Sequence, residues 1–328
     1  MSRDLVYRAL AERPGEYLSG QELSRALGIS RAAVWKAVEG LRRQGYGIEA
    51  RNGCGYRLTD AGDRLGFREV AACLAVPRDN WQVLDEVDST NLACRRLASE
   101  GAPDGTVVMA DCQTAGRGRR GRSFSSPGGM GLYLSILWRP DCPPQSLLPL
   151  TALIAVAVCR AVERTGGVSP DIKWPNDLVL CGRKLGGILT ELSLEGETGH
   201  VDCVIAGIGL NCRQRVEDFP PELSDMAISL DMALPVRVRR GALAAALMEE
   251  LDVLRHEVLG NPGRWLADYR ARCLTVGRRV QILRDGQRIE ADAVAVDDRC
   301  GLVIRRDDGT EETLRAGEVS VRGLYGYV

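Results

Sequence analysis

The chain has 328 residues, 45% of them hydrophobic and 27% charged, enough for two or three domains with sizeable cores. A formal net charge of −1 excludes a polyanion-binding surface spread over the whole molecule, so any basic function is local. Eleven cysteines without C-x-x-C spacing and two histidines, His200 and His256, argue for reduced thiols in a cytosol and against a zinc site or a histidine triad.

The N-terminus carries no signal-peptide core, and no apolar run reads as long enough for a membrane span. A cytoplasmic protein without a membrane partner is therefore expected. Residues 3–12 form a short amphipathic run. "SGQELSRALG" has Ser19 as N-cap and Gly28 as C-cap. "ISRAAVWKAVEGLRRQG" starts at Ser30 as N-cap and stops at Gly45, with Ala33, Val34, Ala37, Val38 and Leu41 at helical spacing. Arg31, Lys36 and Arg42 fall off that stripe. Two helices joined by a short glycine turn, the second with basic outer residues, make a helix-turn-helix pattern. "YGIEARNGCGYRLT" adds a hairpin wing that turns at "NG". A winged helix-turn-helix is expected over 1–64, with Ser30, Arg31, Trp35 and Lys36 facing DNA. The other reading is a small helical domain with a solvated charged face. Trp35 suits a base edge or a groove in the core equally well.

A connector, "DAGDRLG", follows at 60–66. Residues 65–273 mix strands and helices. "NWQVLDEV" is strand-like, "STNLACRRLASEG" is a helix closed by Gly101, and "GTVVMADCQT" and "GLYLSILWR" are strands. Residues 147–165 form a long apolar helix. "DIKWPNDLVLCGRKLGGILTEL" reads as strand, turn, strand, and "HVDCVIAGIGLNC" as a buried strand. Helices at 239–259 and 263–272 complete an α+β domain with several antiparallel connections. From 274 to 328 the period changes to two, with "DG" turns at 285–286 and 308–309, which predicts a small all-β barrel.

"GRGRRGR" at 116–122 concentrates four arginines and three glycines. Its spacing fits G-x-G-x-x-G, but a strand follows where a dinucleotide fingerprint needs a helix, and Gly-Lys-Ser/Thr is absent. What remains is a flexible loop of guanidiniums suited to phosphate or carboxylate, a nucleic-acid tether, or a solvated surface loop. "KWPND" at 173–177 and "RKLGG" at 183–187 flank an expected hairpin. Its turn at Pro175 and Asn176 would bring Lys173, Asp177 and Lys184 to one end of the sheet. "DSTN" at 88–91 and Gln113 add hydroxyls and amides. This set suits a ligand with a neutral polar head and a carboxylate, beside a nucleotide.

In this order, "DSTN", "QTAGRGRRGR", "GLYLS", "IKWPNDL" and "RKLGGIL.E" resemble the family of bifunctional biotin–protein ligases and biotin operon repressors. The resemblance covers nearly the whole chain. It implies a central mixed-sheet domain like class II aminoacyl-tRNA synthetases, between a winged helix-turn-helix and an SH3-like β-barrel. It implies ATP-dependent formation of biotinyl-5'-AMP and transfer of biotin to a lysine of the biotin carboxyl carrier protein of acetyl-CoA carboxylase. Ser89, Thr90 and Gln113 would hydrogen-bond the ureido ring of biotin, and Asn91 would border that pocket. Arg117, Gly118 and Arg119 would wrap the valeryl chain and the acyl-phosphate. Arg119 also counts, with Arg120, Arg122, Phe124, Lys173, Asn176 and Asn211, among the ATP-binding residues. Lys184 would hold the carboxylate and α-phosphate together. Asp177 would orient the acceptor lysine or a magnesium-bound group.

Two departures stand out. Phe124 occupies a place where the family often carries tryptophan, and "CRQRVEDFPPELSD" matches no family pattern clearly, leaving the adenine-stacking residue unassigned. The implied substrates are biotin and ATP with Mg2+, with no resident metal. The implied partners are the carrier protein, operator DNA and, with biotinyl-AMP bound, a second copy of the chain. Three rival readings are a ligand-sensing transcription factor without chemistry, a nucleic-acid module using the arginine loop, and a lipoate ligase. Lys184 with Asp177 speaks against the first, salt dependence that follows loop mutations would mark the second, and the full arginine loop fits biotin better than lipoate.

Overall fold

Ser19 and Ser30 open the helices that the sequence marks for them. The Ser19 hydroxyl accepts from the Glu22 N–H at 3.0 Å and the Ser30 hydroxyl from the Ala33 N–H at 3.1 Å, each satisfying a first-turn donor without an intrahelical partner. The computed structural model describes residues 2–13, 15–43, 46–60, 63–196, 198–284, 287–315 and 318–321. Two compact units divide the chain, Met1–Pro77 and Arg78–Val328.

The first unit contains α1 (Ser2–Glu12), α2 (Gly20–Leu27), α3 (Arg31–Arg43), β1 (Gly47–Arg51), β2 (Gly55–Asp60) and α4 (Phe67–Ala71). Gly28 closes α2 at φ +64°, a conformation that a Cβ would strain. Gly45, expected to stop α3, lies outside the described residues. Val34, Ala37, Val38 and Leu41 bury the apolar stripe of α3 against Val6, Leu10 and Leu23. Trp35 is 56% exposed, so its indole does not fill the core. Arg31 and Lys36 are exposed with it. Arg42 instead turns inward, donating to Glu39 and to the Ile48 carbonyl, both at 2.9 Å. The wing turns at Gly53, φ +76°. It is fixed to the start of α2 by reciprocal N–H to carbonyl bonds between Leu18 and Tyr56, each 2.8 Å. The helix α4 belongs to this unit, since Tyr46 donates to Glu69 and Arg68 pairs with Asp4.

The second unit begins with β3 (Trp81–Val87), α5 (Thr90–Ser99), β4 (Thr106–Gln113) and β5 (Gly131–Trp138). Then come α6 (Leu150–Gly166), β6 (Asp171–Lys173), β7 (Asp177–Leu180), β8 (Arg183–Leu194), β9 (Val201–Asn211), α7 (Leu230–Ala233), α8 (Arg240–Glu257) and α9 (Gly263–Arg272). The seven strands form one sheet in the order β3-β4-β5-β9-β8-β7-β6. β3 and β4 run parallel across α5, and the other neighbours are antiparallel. The segment expected to be strand, turn, strand is three strands. A first turn carries Trp174, Pro175 and Asn176, and a second carries Cys181 and Gly182, both at positive φ. Gly182 was the signal missed, since a glycine between two β-rich runs marks a hairpin.

Ala93 and Cys94 of α5 pack on Val108, Leu137, Cys203 and Ile205, while α6 packs against α8, α9 and β8. Pro144–Gly166, at 23 residues, is long and apolar enough to cross a membrane, which corrects the expectation that no apolar run reaches that length. Leu153 to Cys159 are completely buried, so this is the core helix of the unit. None of the eleven cysteines is in a disulfide. Burial pushes the Cys159 thiol up to about 12, which makes it a poor nucleophile.

The last strands, β10 (Arg279–Arg284), β11 (Gln287–Val296), β12 (Leu302–Arg305), β13 (Glu311–Leu314) and β14 (Glu318–Val321), form an antiparallel sheet ordered β13-β12-β11-β10-β14. The turn expected at 285–286 lies outside the described residues. At the other, Gly309 has φ +83° and Asp308 accepts from the Thr310 N–H at 2.9 Å. This sheet is joined to the central one through Trp174. The indole N–H of Trp174 donates to the Cys300 carbonyl at 2.9 Å, and its backbone N–H to the Thr275 hydroxyl at 3.0 Å.

A buried charge fixes the turn before β5. Arg240, 2% exposed, donates to Asp111 at 2.7 Å and to the Gly131 carbonyl at 3.1 Å. Asp111 also accepts from the Gly129 N–H at 2.9 Å. Breaking a buried pair costs about 3–5 kcal/mol, and the partial solvation of Asp111 places Arg240→Met near the lower end. The urea unfolding midpoint should fall accordingly, with an unchanged slope.

Candidate active site

The junction of β3 with α5 places Ser89, Thr90 and Asn91 under the sheet, all buried. Asp88 precedes them and accepts from the Ser89 N–H at 2.7 Å. The Arg96 guanidinium, followed by backbone hydrogen bonding, holds the Asp88 carboxyl down at about 2. Ser89 is the N-cap of α5, yet its side chain makes no cap bond, so its hydroxyl is not committed to its own helix. Gln113 accepts from the Thr90 N–H at 2.9 Å and the Thr90 hydroxyl at 3.1 Å. Its amide donates to Ser126 at 2.8 Å. Ser135, fully buried on β5, has its hydroxyl 2.7 Å from Thr90 Oγ1 and donates to Asn91 Oδ1 at 2.6 Å. Ser126 and Ser135 were not singled out from sequence. The serine in "GLYLS", inward-facing on an otherwise apolar strand, was the available signal for the second.

Two glycines of "AGIGLN" make room here. A Cβ on Gly207 would lie 2.1 Å from Asn91 Oδ1, and one on Gly209 would lie 2.6 Å from the Phe124 ring. Phe124 thus packs on β9 at Gly209, edge-on to Tyr133 with centroids 6.3 Å apart. The arginine loop is a small hairpin. Arg117 bridges Ser123, the Gly118 N–H meets the Arg122 carbonyl at 2.7 Å, and the Phe124 N–H meets the Gly116 carbonyl at 2.9 Å. A 3-10 turn at Arg119–Gly121 forms its tip, with Arg120 at φ 57°. Arg117 pairs with Glu191 at 3.2 Å, and Arg119 donates to Asn176 Oδ1 at 2.8 Å. Arg120 and Arg122 are exposed.

Across the sheet, Asp177 stands between two lysines. Lys184 Nζ is 2.8 Å from one carboxylate oxygen and Lys173 Nζ 3.9 Å from the other. Lys184 keeps 38% of its side chain exposed, against 12% for Lys173 and 16% for Asp177. Asn176 donates to the Ile188 carbonyl at 3.0 Å, which orients its oxygen toward Arg119. Lys173, Asn176, Asp177 and Lys184 are therefore brought together, with Arg119 tied to them.

Asn211 is placed differently. It is buried and donates to the Ile228 carbonyl at 3.1 Å, while Gln214 donates to its oxygen at 3.3 Å. The chain folds back here just after the segment, 212–225, that sequence could not match. The Lys184 N–H donates to the Met226 carbonyl at 2.7 Å and the Ile228 N–H to the Lys184 carbonyl at 2.9 Å. Asn211 and Lys184 thus grip one stretch of chain, 226–228. A cavity of about 340 Å³ adjoins the loop, lined by Arg119, Arg120, Trp174 and Thr190 and, from the terminal sheet, Arg299 and Arg315.

A buried hydroxyl-amide pocket, a hairpin of arginines and a lysine–carboxylate pair on one sheet are the parts of an acyl-activating ligase. Residues 83–211 match the biotin/lipoate A/B protein ligase family, residues 3–57 a helix-turn-helix domain, and residues 275–322 the biotin protein ligase C-terminal domain. The chain is 42% identical over 245 residues, 74% of each protein, to the bifunctional ligase/repressor BirA of Bacillus spizizenii. It is 33% identical to the Escherichia coli BirA, over 94% of each protein. Its fold is similar to a biotin protein ligase from Aquifex aeolicus solved with biotin and ATP. The TM-score is 0.63 at 29% identity, over 75% of this chain and 99% of that one. The chain belongs to the biotin–protein ligase family, in its form with an N-terminal helix-turn-helix domain.

Proposed function

We propose that this protein is an ATP-dependent biotin–protein ligase. It forms biotinyl-5'-AMP, transfers biotin to a lysine of the biotin carboxyl carrier protein of acetyl-CoA carboxylase, and represses transcription in response to biotin. The observation that carries the reading is the joint placement of Lys184 and Asp177 with Arg119, opposite a buried hydroxyl-amide pocket. Ser89, Thr90 and Gln113 hold the ureido ring, with Asn91 beside it. The uncommitted Ser89 hydroxyl supports this assignment. Arg117, Gly118 and Arg119 cover the valeryl chain and the acyl-phosphate, and Arg120, Arg122, Lys173, Asn176 and Phe124 face ATP. Asn211, whose side chain is spent on Ile228 and Gln214, acts on the nucleotide by shaping the 212–228 segment.

Activation brings a carboxylate against an α-phosphate. At about 4 Å and an effective dielectric of about 20, each pair of unit charges repels by roughly 4 kcal/mol, or around three decades of rate. Lys184 lies between the two anions and stabilises the charge that develops as the carboxylate oxygen attacks phosphorus and pyrophosphate leaves. Asp177 holds the ammonium in place until the substrate arrives, and then orients the carrier lysine. Closure of the arginine hairpin excludes water from the hydrolysable adenylate.

Among the described residues no group of three His, Cys, Asp or Glu could hold a metal ion, and Asp177 is engaged by two lysines. That donor set fits magnesium carried on the ATP phosphates, which needs one or two protein carboxylates at most. The ion would neutralise phosphate charge. The reading extends to a central domain like class II aminoacyl-tRNA synthetases, an SH3-like terminal barrel, domains read from sequence at 1–64, 65–273 and 274–328, with α4 added to the first so that its compact unit ends at Pro77, a cytoplasmic location, and a homodimer when biotinyl-AMP is bound. Trp35, Arg31 and Lys36, exposed behind the Ser30 cap, are its DNA-facing residues.

Pyrophosphate exchange measured with biotin and with lipoate tests this reading. Exchange driven by biotin supports it, exchange driven by lipoate alone replaces it with a lipoate ligase, and none with either leaves a ligand-sensing repressor. Two further outcomes are expected. Gly207→Ala should raise the KM for biotin by about tenfold or more, since overpacking of about 1–3 kcal/mol displaces Asn91, while KM for ATP stays near its starting value. Protease cleavage after Arg117–Arg122 should slow when biotin and ATP are added, because the hairpin closes over the adenylate. Unchanged cleavage would remove closure from the mechanism.

A further inference from the structure

Glu191 closes the "RKLGGIL.E" motif and has no role in the chemistry above. We infer that it is a positioning residue that latches the arginine hairpin to the ureido pocket, a deepening that rests on the ligase reading. Its carboxylate sits on β8, with 18% of the side chain exposed. One oxygen takes Arg117 at 3.2 Å and Arg95 at 3.0 Å, and the other accepts from Asn91 Nδ2 at 2.8 Å. Three donors on two oxygens lie within the capacity of a carboxylate.

The two ends of this cluster differ in freedom. Arg117 and Arg95 keep 42% and 55% of their side chains exposed, so Glu191 is the fixed end and the arginines are the mobile ones. Arg117 is built into the hairpin through its bridge to Ser123. Asn91 is held from both sides. Its oxygen accepts from Ser135 at 2.6 Å, its amide donates to Glu191 and, at 3.4 Å, to the Leu189 carbonyl, and it fills the space that Gly207 leaves open. A hairpin that lifts must break Arg117 from one oxygen of Glu191, while the other oxygen keeps its contact with Asn91. Closure of the loop and shape of the ureido pocket are therefore set by one carboxylate.

Glu191→Gln separates the two functions. The amide can still accept from Asn91 through its oxygen but no longer attracts Arg117. In the full-length protein loaded with preformed biotinyl-adenylate and chased with excess biotin, the variant should release adenylate about tenfold faster, because the ion pair that ties Arg117 to β8 is lost. Exchange at saturating biotin should change less than about threefold, since the group does not touch the reacting atoms. Placed on Arg117→Gln, the same substitution should add no further acceleration, because the coupled partner is already gone. Arg95→Ala should leave release within about twofold, as Arg95 lies on α5 and its pair does not tie the hairpin down. Release from Glu191→Gln within twofold of wild type, or full additivity with Arg117→Gln, overturns the latch. So does an equal effect of Arg95→Ala. Should the glutamine variant not fold, Glu191→Asp, which keeps the charge on a shorter stem, must still speed release by a few-fold. Wild-type protein that fails to exchange pyrophosphate with biotin overturns the ligase reading first, and the latch with it.

Discussion

Lys184→Gln is expected to lower biotin-dependent pyrophosphate exchange by about 10²–10³-fold, the usual effect of removing one donor aimed at developing charge. The fold should persist. The side chain is 38% exposed, and the backbone of residue 184 is held by Met226 and Ile228 whatever side chain it carries. Affinity for the neutral ureido end should change little, because Ser89, Thr90 and Gln113 lie on other elements, α5 and β4 with their flanks. Transfer from preformed biotinyl-adenylate separates the two half-reactions. Persistence of transfer alongside lost exchange assigns Lys184 to activation, and loss of both assigns it to both steps. Exchange near the wild-type rate would leave the ammonium as the partner of Asp177 and nothing more.

Removing Met1–Pro77 is expected to abolish DNA binding and to leave ligation within about threefold of the full chain, since a separate compact unit carries its own core. The cut belongs at Pro77 and not at residue 64. A break at 64 would strand α4, whose Glu69 and Arg68 are engaged with Tyr46 and Asp4 of the departing unit. The measurement is a gel shift with DNA selected from a random pool by the full chain, beside carrier biotinylation by both proteins. DNA binding that survives truncation would move the interface to the arginine hairpin. Loss of ligation would show that the first unit supports catalysis.

Much of this was legible before any coordinates. The caps Ser19, Ser30 and Gly28, the stripe on α3 and the wing turn rest on local rules, and the structure reproduces them. The gathering of Lys173, Asp177 and Lys184 was also readable, although by way of one hairpin where there are two. Trp35 was undecidable because its exposure depends on what packs beside α3. Ser126, Ser135 and Glu191 escaped a role for a related reason. Each acts through a partner more than ten positions away, Gln113, Thr90 and Arg117, and no local period encodes such a pairing. The apolar run at 144–166 was misjudged in length, since a short 3-10 turn continues into α6. The fold-back of 226–228 onto Lys184 had no visible signal at all, as it is made by backbone groups alone.

The junction at Trp174 gives the two ends of the chain unequal standing. The turn that aims Asn176 and Asp177 is anchored by an indole whose N–H ends on Cys300 and by a backbone N–H that ends on Thr275. The Leu274 N–H meets the Ile172 carbonyl at 3.0 Å just beside them. Melting of the terminal sheet would leave these donors and acceptors buried without partners, a penalty of about 1–3 kcal/mol for each group, which couples the folding of the sheet to that of the turn. The N-terminal unit has a core of its own, whereas the C-terminal sheet shares its hydrogen bonds with the turn at Trp174.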